Sequence, residues 1–435
     1  MSTPNGGYRG AGGPASQQGM RRANLALVLG AIARLGATSR AQVAAATGLT
    51  RAAAGSLVSE LIDSGLVREH GVSLEGRVGR PSMTLSLRDL GPAGLGLEVG
   101  VEHLGACVVD LGSEVRVRIR VPAQNRGRDP REVAAQLAGV AVRAVEEAGA
   151  LGLTPVGVAV AVPGLVGRAT GGVLNLPRVS APASSPLAPH GSTDVVIHAP
   201  NLGWHDIDIA GHVRALLPAS LRGLPIEVEN EANLAALAEL WRGAAGRDFV
   251  HVSAEAGIGA ALVVDGLLLR GKRGFAGELG HMPVYPDGLP CPCGSHGCLE
   301  QYAGEEAVLR GSGLRVDAGD RVAVLAAEAA AGHPAVRRAL DEAGRALGIA
   351  LSGAVNLVDP EAVVLGGAYA DLAAWLTPGM QAELGARVRI RPWQSAGLVV
   401  SRLNREGPVV GAGTAVIEAV IRDPSSVRRS PSRGS

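Results

Sequence analysis

Aromatic side chains are scarce in this chain of 435 residues, which has four Trp, four Tyr and two Phe. Its interior must therefore be filled by Ala, Val, Leu and Ile. Lysine is nearly missing: Lys272 is the only one among 41 Lys and Arg residues. That skew is read as nucleotide composition rather than function, so the arginine count alone does not signal nucleic acid. Four cysteines exclude a disulfide framework, and three of them fall between 291 and 298, as a metal set would. Cys107 stands alone in an apolar strand-like run. No uninterrupted apolar run reaches the roughly 18 residues of a membrane helix. VGVAVAVPGLVG at 156–167 is too short and too rich in glycine. No charged-then-apolar leader opens the sequence, so a soluble, cytoplasmic protein is expected.

The length accommodates two or three domains with ample core. A net charge of +1 hides an asymmetry, because residues 1–90 sum to +5 and the remainder to −4. A basic front on a mildly acidic body fits a nucleic-acid footprint confined to the front. Residues 1–19 and 423–435, rich in Gly, Ser, Pro and Arg, are expected as disordered tails. Residues 20–90 read as one domain and 91–422 as another. In the second, strands at 95–101, 104–111 and 115–121 precede a helix at about 130–149 and the strand PVGVAVAV. The pattern recurs as IEVE, EANLAALAELW, FVHVSA, GAALVVDG, LLLRG, helices over 320–357 and the strand AVVLGG. Two such sets indicate two α/β lobes around a ligand cleft. The segment 178–194 reads as an irregular surface insertion.

In the front domain, Leu27, Val28, Ile32 and Leu35 are expected on one helical face. Ser39 can cap a short second helix with Val43 in its core, and Gly48 supplies a turn. Thr50 can cap a third helix that packs through Leu57, Leu61 and Ile62. This is the pattern of a helix-turn-helix, followed at 65–87 by a β-hairpin wing. Arg77 and Arg80 at the wing tip suit a narrow minor groove. The third helix opens Arg51-Ala-Ala-Ala-Gly-Ser56, and alanines offer bases no hydrogen bonds. Arg51 and Ser56 are the candidate base readers and Ser59 a candidate phosphate contact. Modest affinity per half-site and dimerisation on a palindrome are expected. The alternative is a three-helix cap that only packs or dimerises.

The stretch CPCGSHGCLE (291–300) places Cys291, Cys293 and Cys298 within eight residues. One His with three Cys fills a tetrahedron and leaves no open position, which points to a structural zinc site. By spacing, His281 and His296 both compete as the fourth ligand. Several acids nearby suit a polyol, because a carboxylate accepts hydrogen bonds from two adjacent hydroxyls.

PGLV (163–166), NLGW (201–204), ENEAN (229–233), GIGAALVVDGLLLRGKRGFAGELGH (257–281), CPCGSHGCLE and LGGAY (365–369) together resemble the ROK family of bacterial repressors and sugar kinases. The resemblance spans about 23–420. It implies a winged helix-turn-helix followed by a two-lobed actin-like, ribonuclease-H-type ATPase fold. It further implies that Asn230, Glu278, His281 and Glu300 contact sugar hydroxyls, with Glu231 in place of the usual aspartate base. His281, Cys291, Cys293 and Cys298 would be the zinc ligands.

The family's kinases carry Asp-x-Gly-Gly-Thr on the first hairpin, where this chain has Glu98-Val-Gly100-Val101-Glu102. Glu102 would oppose phosphate by about 3 kcal/mol at ~5 Å and an effective dielectric of ~20. The second loop, Gly-Thr-Gly in kinases, is Glu255-Ala256-Gly257. The expectation is therefore a non-enzyme: a sugar-responsive repressor, homodimeric or homotetrameric, on a palindromic double-stranded operator. Its effector would be a sugar or sugar phosphate. An active sugar kinase with an added DNA domain is one alternative, and a DNA-binding protein whose body only dimerises is another.

Overall fold

A computed structural model describes residues 17–72, 83–168, 194–243, 245–316, 320–389 and 391–427. The chain divides into two compact units, one running to Pro92 and including the segment from Glu418 onward, the other Ala93–Ile417.

The first unit begins with α1 (Gln17–Leu35), α2 (Arg40–Thr47) and α3 (Arg51–Asp63). The hairpin of β1 (Val67–Val72) and β2 (Met83–Leu87) follows. Capping sets the helix starts as the residues predict. Ser39 and Gln42 form a reciprocal capping box, Gly48 is left-handed at φ 70°, and the Thr50 hydroxyl accepts from Ala53 N at 3.2 Å. Val43, Leu57 and Leu61 are buried. The expected face of α1 needs correction, since Leu27 and Leu35 are exposed while Leu25, Val28, Leu29 and Ile32 are buried. The true stripe follows the i, i+3, i+4, i+7 spacing from Leu25. The tail boundaries shift as well: residues 17–19 are already helical, and Pro424–Ser426 form a 3-10 turn. Both Asp423 carboxylate oxygens accept from the Arg22 guanidinium, a two-bond pairing that ties the C-terminal segment to α1. Arg77 and Arg80 lie outside the described residues, as does all of the expected insertion except Asp194.

The second unit contains the same topology twice. Strands β3 (Gly91–Val99), β4 (His103–Asp110) and β5 (Val115–Pro122) form an antiparallel meander. Then come α4 (Pro130–Ala150), β6 (Leu153–Val162), β7 (Leu165–Arg168), β8 (Asp194–Ala199), β9 (Trp204–Ile207), α5 (Ile209–Leu216) and α6 (Ala219–Arg222). Strand β10 (Ile226–Asn230) completes the first sheet in the order β10-β6-β3-β4-β5, and α7 (Glu231–Arg242) crosses over. A second meander of β11 (Phe249–Ala254), β12 (Ile258–Val264) and β13 (Leu267–Leu268) opens the other lobe. Helices α8 (Glu300–Ala303), α9 (Glu305–Ser312), α10 (Arg321–Ala330) and α11 (Pro334–Val358) follow. The chain continues through β14 (Ala362–Gly367), α12 (Ala368–Asp371), α13 (Ala373–Arg387), β15 (Leu398–Val400) and α14 (Gly407–Arg422). This sheet is ordered β13-β12-β11-β14-β15. In both sheets the first meander strand is central, flanked by the second strand on one side and a later crossover strand on the other. Strands β7, β8 and β9 form a small antiparallel sheet that the sequence pattern does not announce.

With few rings available, glycine and alanine let elements approach closely. A Cβ on Gly96 of β3 would lie 2.3 Å from Val409 O of α14. On Gly344 of α11 it would lie 2.3 Å from Leu376 O of α13. Leu95, Leu97, Val108, Leu137 and Ala141 fill one core, and Val252, Leu347, Leu365 and Met380 the other. Gly96→Ala is expected to cost about 1–3 kcal/mol by overpacking, read as a lower denaturant midpoint for the body. Among the described residues no helix is long and apolar enough to cross a membrane.

Candidate functional site

The residues around the start of β12 are brought together from four chain segments. Asn230 ends β10 and caps α7: its Oδ1 accepts from Ala232 N at 2.8 Å and Asn233 N at 3.1 Å. Its Nδ2 donates to Gly164 O at 2.8 Å, tying in the turn after β6. Glu231 is therefore the first helical residue and sits half-buried. A Cβ on Gly259 would lie 2.9 Å from the Ala232 side chain, so β12 runs directly beside this helix start. Glu300 Oε2 accepts from Ile258 N at 3.1 Å, and Gly280 packs against Ile258 O. Asn201, from the NLGW turn, borders Gly257 together with Glu300. The sequence reading did not single out Asn201 as a site residue.

Burial raises the Glu278 carboxyl above its ordinary range, with His281 opposing the shift and Glu300 adding to it. Glu278 therefore lies close enough to sense the charges of both His281 and Glu300. The His281 Nε2 faces Glu278 Oε2 at 3.9 Å, while its Nδ1 lies 3.9 Å from Cys291 Sγ. Cys293 and Cys298 sulfurs are 3.7 Å apart. The ligand atoms of His281, Cys291, Cys293 and Cys298 all lie within 4.8 Å of one another, a group that can hold a metal ion. His296 is exposed and is not part of that group. Gly297 makes the fold of this loop possible: its φ is 70°, and a Cβ there would collide with Tyr285 O.

Carboxylates cluster near the start of α7. Burial, then Glu255 and Glu98, pushes Glu231 up to about 8. Burial and Glu98 likewise push Glu255 up to about 7. At neutral pH Glu231 therefore holds its proton. Because the folded chain keeps protons that the unfolded chain releases above about pH 4.5, stability falls as pH rises toward 8. Glu231→Gln is expected to flatten the dependence of Tm on pH between about pH 5 and 8, with the variant the more stable at the upper end. Differential scanning fluorimetry across that range checks it.

The first hairpin turn is filled by its own side chains, which sequence reasoning missed. The His103 ring lies over Gly100, where a Cβ would be 2.1 Å from Cε1. Its Nε2 faces the buried Glu98 at 3.1 Å, and Arg120 Nη2 lies 3.2 Å from Nδ1. Asn125 Nδ2 donates to Gly100 O and His103 O at 2.8 and 3.1 Å. On the opposite lobe Arg405 pairs with Asp320 and Asp371, each at 3.0 Å. A cavity lined by Ala254, Glu305, Val322, Ala368 and Tyr369 has about 10 Å³ of water-accessible space, room for about one water molecule.

In the first unit Arg51 and Ser56 are exposed on α3. Ser59 is exposed too, but its hydroxyl accepts from Arg40 Nη1 at 3.0 Å and donates to Gly55 O at 3.1 Å. Arg40 also pairs with Glu69 at 3.1 Å, so it clamps α2 to α3 and the hairpin.

Three helices with a β-hairpin, joined in one chain to a duplicated two-lobed body, define a winged-helix protein built on an actin-like, sugar-kinase-type scaffold. The family model described as ROK family matches residues 94–419, and the chain belongs to the ROK family. It is 26% identical over 407 residues to the xylose repressor of Bacillus subtilis (strain 168), covering 93% of this chain and 97% of that protein. A glucokinase of Streptomyces coelicolor is 34% identical over 195 residues, which is 40% of this chain and 60% of the glucokinase. Among solved structures, a ROK family transcriptional regulator described as a homolog of the E. coli MLC protein superposes with a TM-score of 0.72. The identity is 25%, and the match covers 94% of this chain and 99% of the regulator. A ROK glucokinase from Streptomyces griseus in complex with glucose and AMPPNP matches 74% of this chain and 98% of its own, with a TM-score of 0.57 and 25% identity.

Proposed function

We propose that the protein is a sugar-responsive transcription repressor whose DNA affinity changes when a sugar binds in the cleft of a former kinase. The carrying observation is that repressor relatives match nearly the full length of the chain, head included, whereas the Streptomyces coelicolor glucokinase match spans less than half of it. Arg51 and Ser56 on α3 would read bases, Ser59 would reach phosphate if it releases Arg40, and Arg77 and Arg80 would enter the minor groove. Two copies on a palindrome would supply the affinity that an alanine-rich helix lacks. Asn230, Glu231, Glu278, His281 and Glu300 would hold the sugar. If the sugar favours one form by about 3 kcal/mol, DNA binding changes roughly 150-fold. Titrating the chain's own promoter region with and without D-xylose and D-glucose tests this reading.

The metal group fits zinc. A tetrahedral zinc with Zn–S bonds of about 2.3 Å sets its sulfurs roughly 3.8 Å apart, near the spacing seen here. Three thiolates and one imidazole would leave no open position, so the role would be structural. His281 would ligate through Nδ1 and keep Nε2 toward Glu278 and the sugar. The ion would fix both ends of the loop from Glu278 to Glu300.

Kinase chemistry is argued against by the same residues. By the family resemblance, Glu102 and Glu255 would bring carboxylates to the two phosphate loops, and His103 covers Gly100. Incubation with ATP and either sugar is expected to yield no sugar phosphate above a protein-free control. Turnover at about 1 s⁻¹ or faster, the usual enzyme range, would overturn the assignment.

A further inference from the structure

The candidate sugar site takes side chains from two lobes whose sheets are separate. Asn230 and Glu231 stand where β10, an outer strand of the first sheet, gives way to α7. Glu278 and His281 follow the loop that leaves β13, an outer strand of the second sheet. An ion pair joins the two edges. Glu229 Oε2 accepts from Arg270 Nε at 3.0 Å and Nη2 at 2.6 Å, and the Glu229 side chain is only 12% exposed. The other carboxylate oxygen accepts from Asn230 N at 2.9 Å and Asn233 Nδ2 at 3.0 Å. One carboxylate thus holds the first turn of α7 with one oxygen and the β13 loop with the other.

We propose that the Arg270–Glu229 pair is a latch that positions both halves of the sugar site, so that effector affinity depends on a pair that need not touch the sugar. The inference rests on the sugar-binding reading above. On the first lobe, Asn230 has committed its Oδ1 to the helix cap and one amide proton to Gly164 O, which leaves one N–H for a ligand. The direction of that donor is fixed partly by Glu229 through the Asn230 backbone. On the second lobe, the loop closes on itself through Ala276 N to Arg270 O at 3.1 Å. It also packs against the small sheet, where a Cβ on Gly274 would meet Val166 O at 3.3 Å. The chain then runs through Gly277 directly into Glu278. On this proposal a displaced Arg270 shifts Glu278 through that loop. The guanidinium suits this role because its planar fork gives the carboxylate two donors at a fixed angle, which an ammonium cannot reproduce.

The test uses full-length protein and the variants Arg270→Met, Arg270→Lys, Glu229→Gln and the double change Glu229→Gln with Arg270→Met. Binding of D-xylose and D-glucose is measured by calorimetry, and amide exchange is followed over 229–233 and 270–281. Expected are an affinity loss of about tenfold or more in Arg270→Met, partial recovery in Arg270→Lys, and a double variant no weaker than the worse single one. Exchange in Arg270→Met should accelerate in both segments together. An Arg270→Met protein that binds sugar within about twofold of wild type would overturn the latch. If wild type binds neither sugar, the sugar-binding reading for these ligands fails, and the exchange data decide the latch separately. Coupled acceleration supports it, and unchanged exchange in either segment refutes it.

Discussion

Glu300→Ala is expected to weaken sugar binding by about a hundredfold, the largest effect of any single change in the cleft. Two interactions are lost at once. A carboxylate that accepts from sugar hydroxyls contributes roughly 1.5–3 kcal/mol per hydrogen bond to a charged group. The same side chain accepts from Ile258 N, so its removal also leaves the start of β12 without that partner. Glu300→Gln keeps an acceptor for Ile258 N and removes only the charge, and its loss should be smaller, about tenfold. Calorimetric titration of both variants with the sugar that wild type binds separates the two contributions. Equal affinity in Glu300→Ala and wild type would remove Glu300 from the site.

Cys293→Ser is expected to release the metal and, with it, the sugar response. Metal analysis of wild type should give about one zinc per chain, and the variant close to none. Structural zinc contributes of the order of 10 kcal/mol to small domains at neutral pH. Here that energy would hold the loop from Glu278 to Glu300, which has few apolar anchors: Leu279, Val284, Cys291, Cys298 and Leu299 are buried, but Tyr285 and Leu289 are exposed. Without the ion, Glu278 and Glu300 lose their common support. Sugar affinity should fall at least tenfold and the melting transition of the body should broaden or drop. A variant that retains its fold and its sugar response unchanged would show that the metal does not support the site.

Much of this architecture is legible in the residues, for identifiable physical reasons. The caps at Ser39 and Thr50 are local interactions between neighbours in sequence, so the sequence carries them directly. The duplicated meander shows as alternating apolar runs, and the metal group as short spacing. What stays hidden depends on contacts far apart in the chain. Leu27 and Leu35 look as apolar as Leu25 and Leu29, and only packing against α2 and α3 separates the buried pair from the exposed one. The Arg22–Asp423 pair spans 401 positions, so no local pattern shows that the residues just after α14 join α1. Nothing next to His103 in sequence shows that its ring covers Gly100. Asn201 belongs to a turn whose meaning appears only when Gly257 and Glu300 border it. The spacing of His281 and His296 leaves both open as ligands, and tertiary placement brings His281 into the group.

The proposed coupling of DNA binding to a sugar in the cleft is open to direct measurement. The most direct test is to titrate a labelled fragment of the chain's own promoter region at fixed salt, without ligand and with a panel of monosaccharides and their phosphates. At least one of them is expected to change the apparent Kd by tenfold or more, and Glu300→Ala to abolish the change. DNA affinity that is the same with every sugar and sugar phosphate would contradict it.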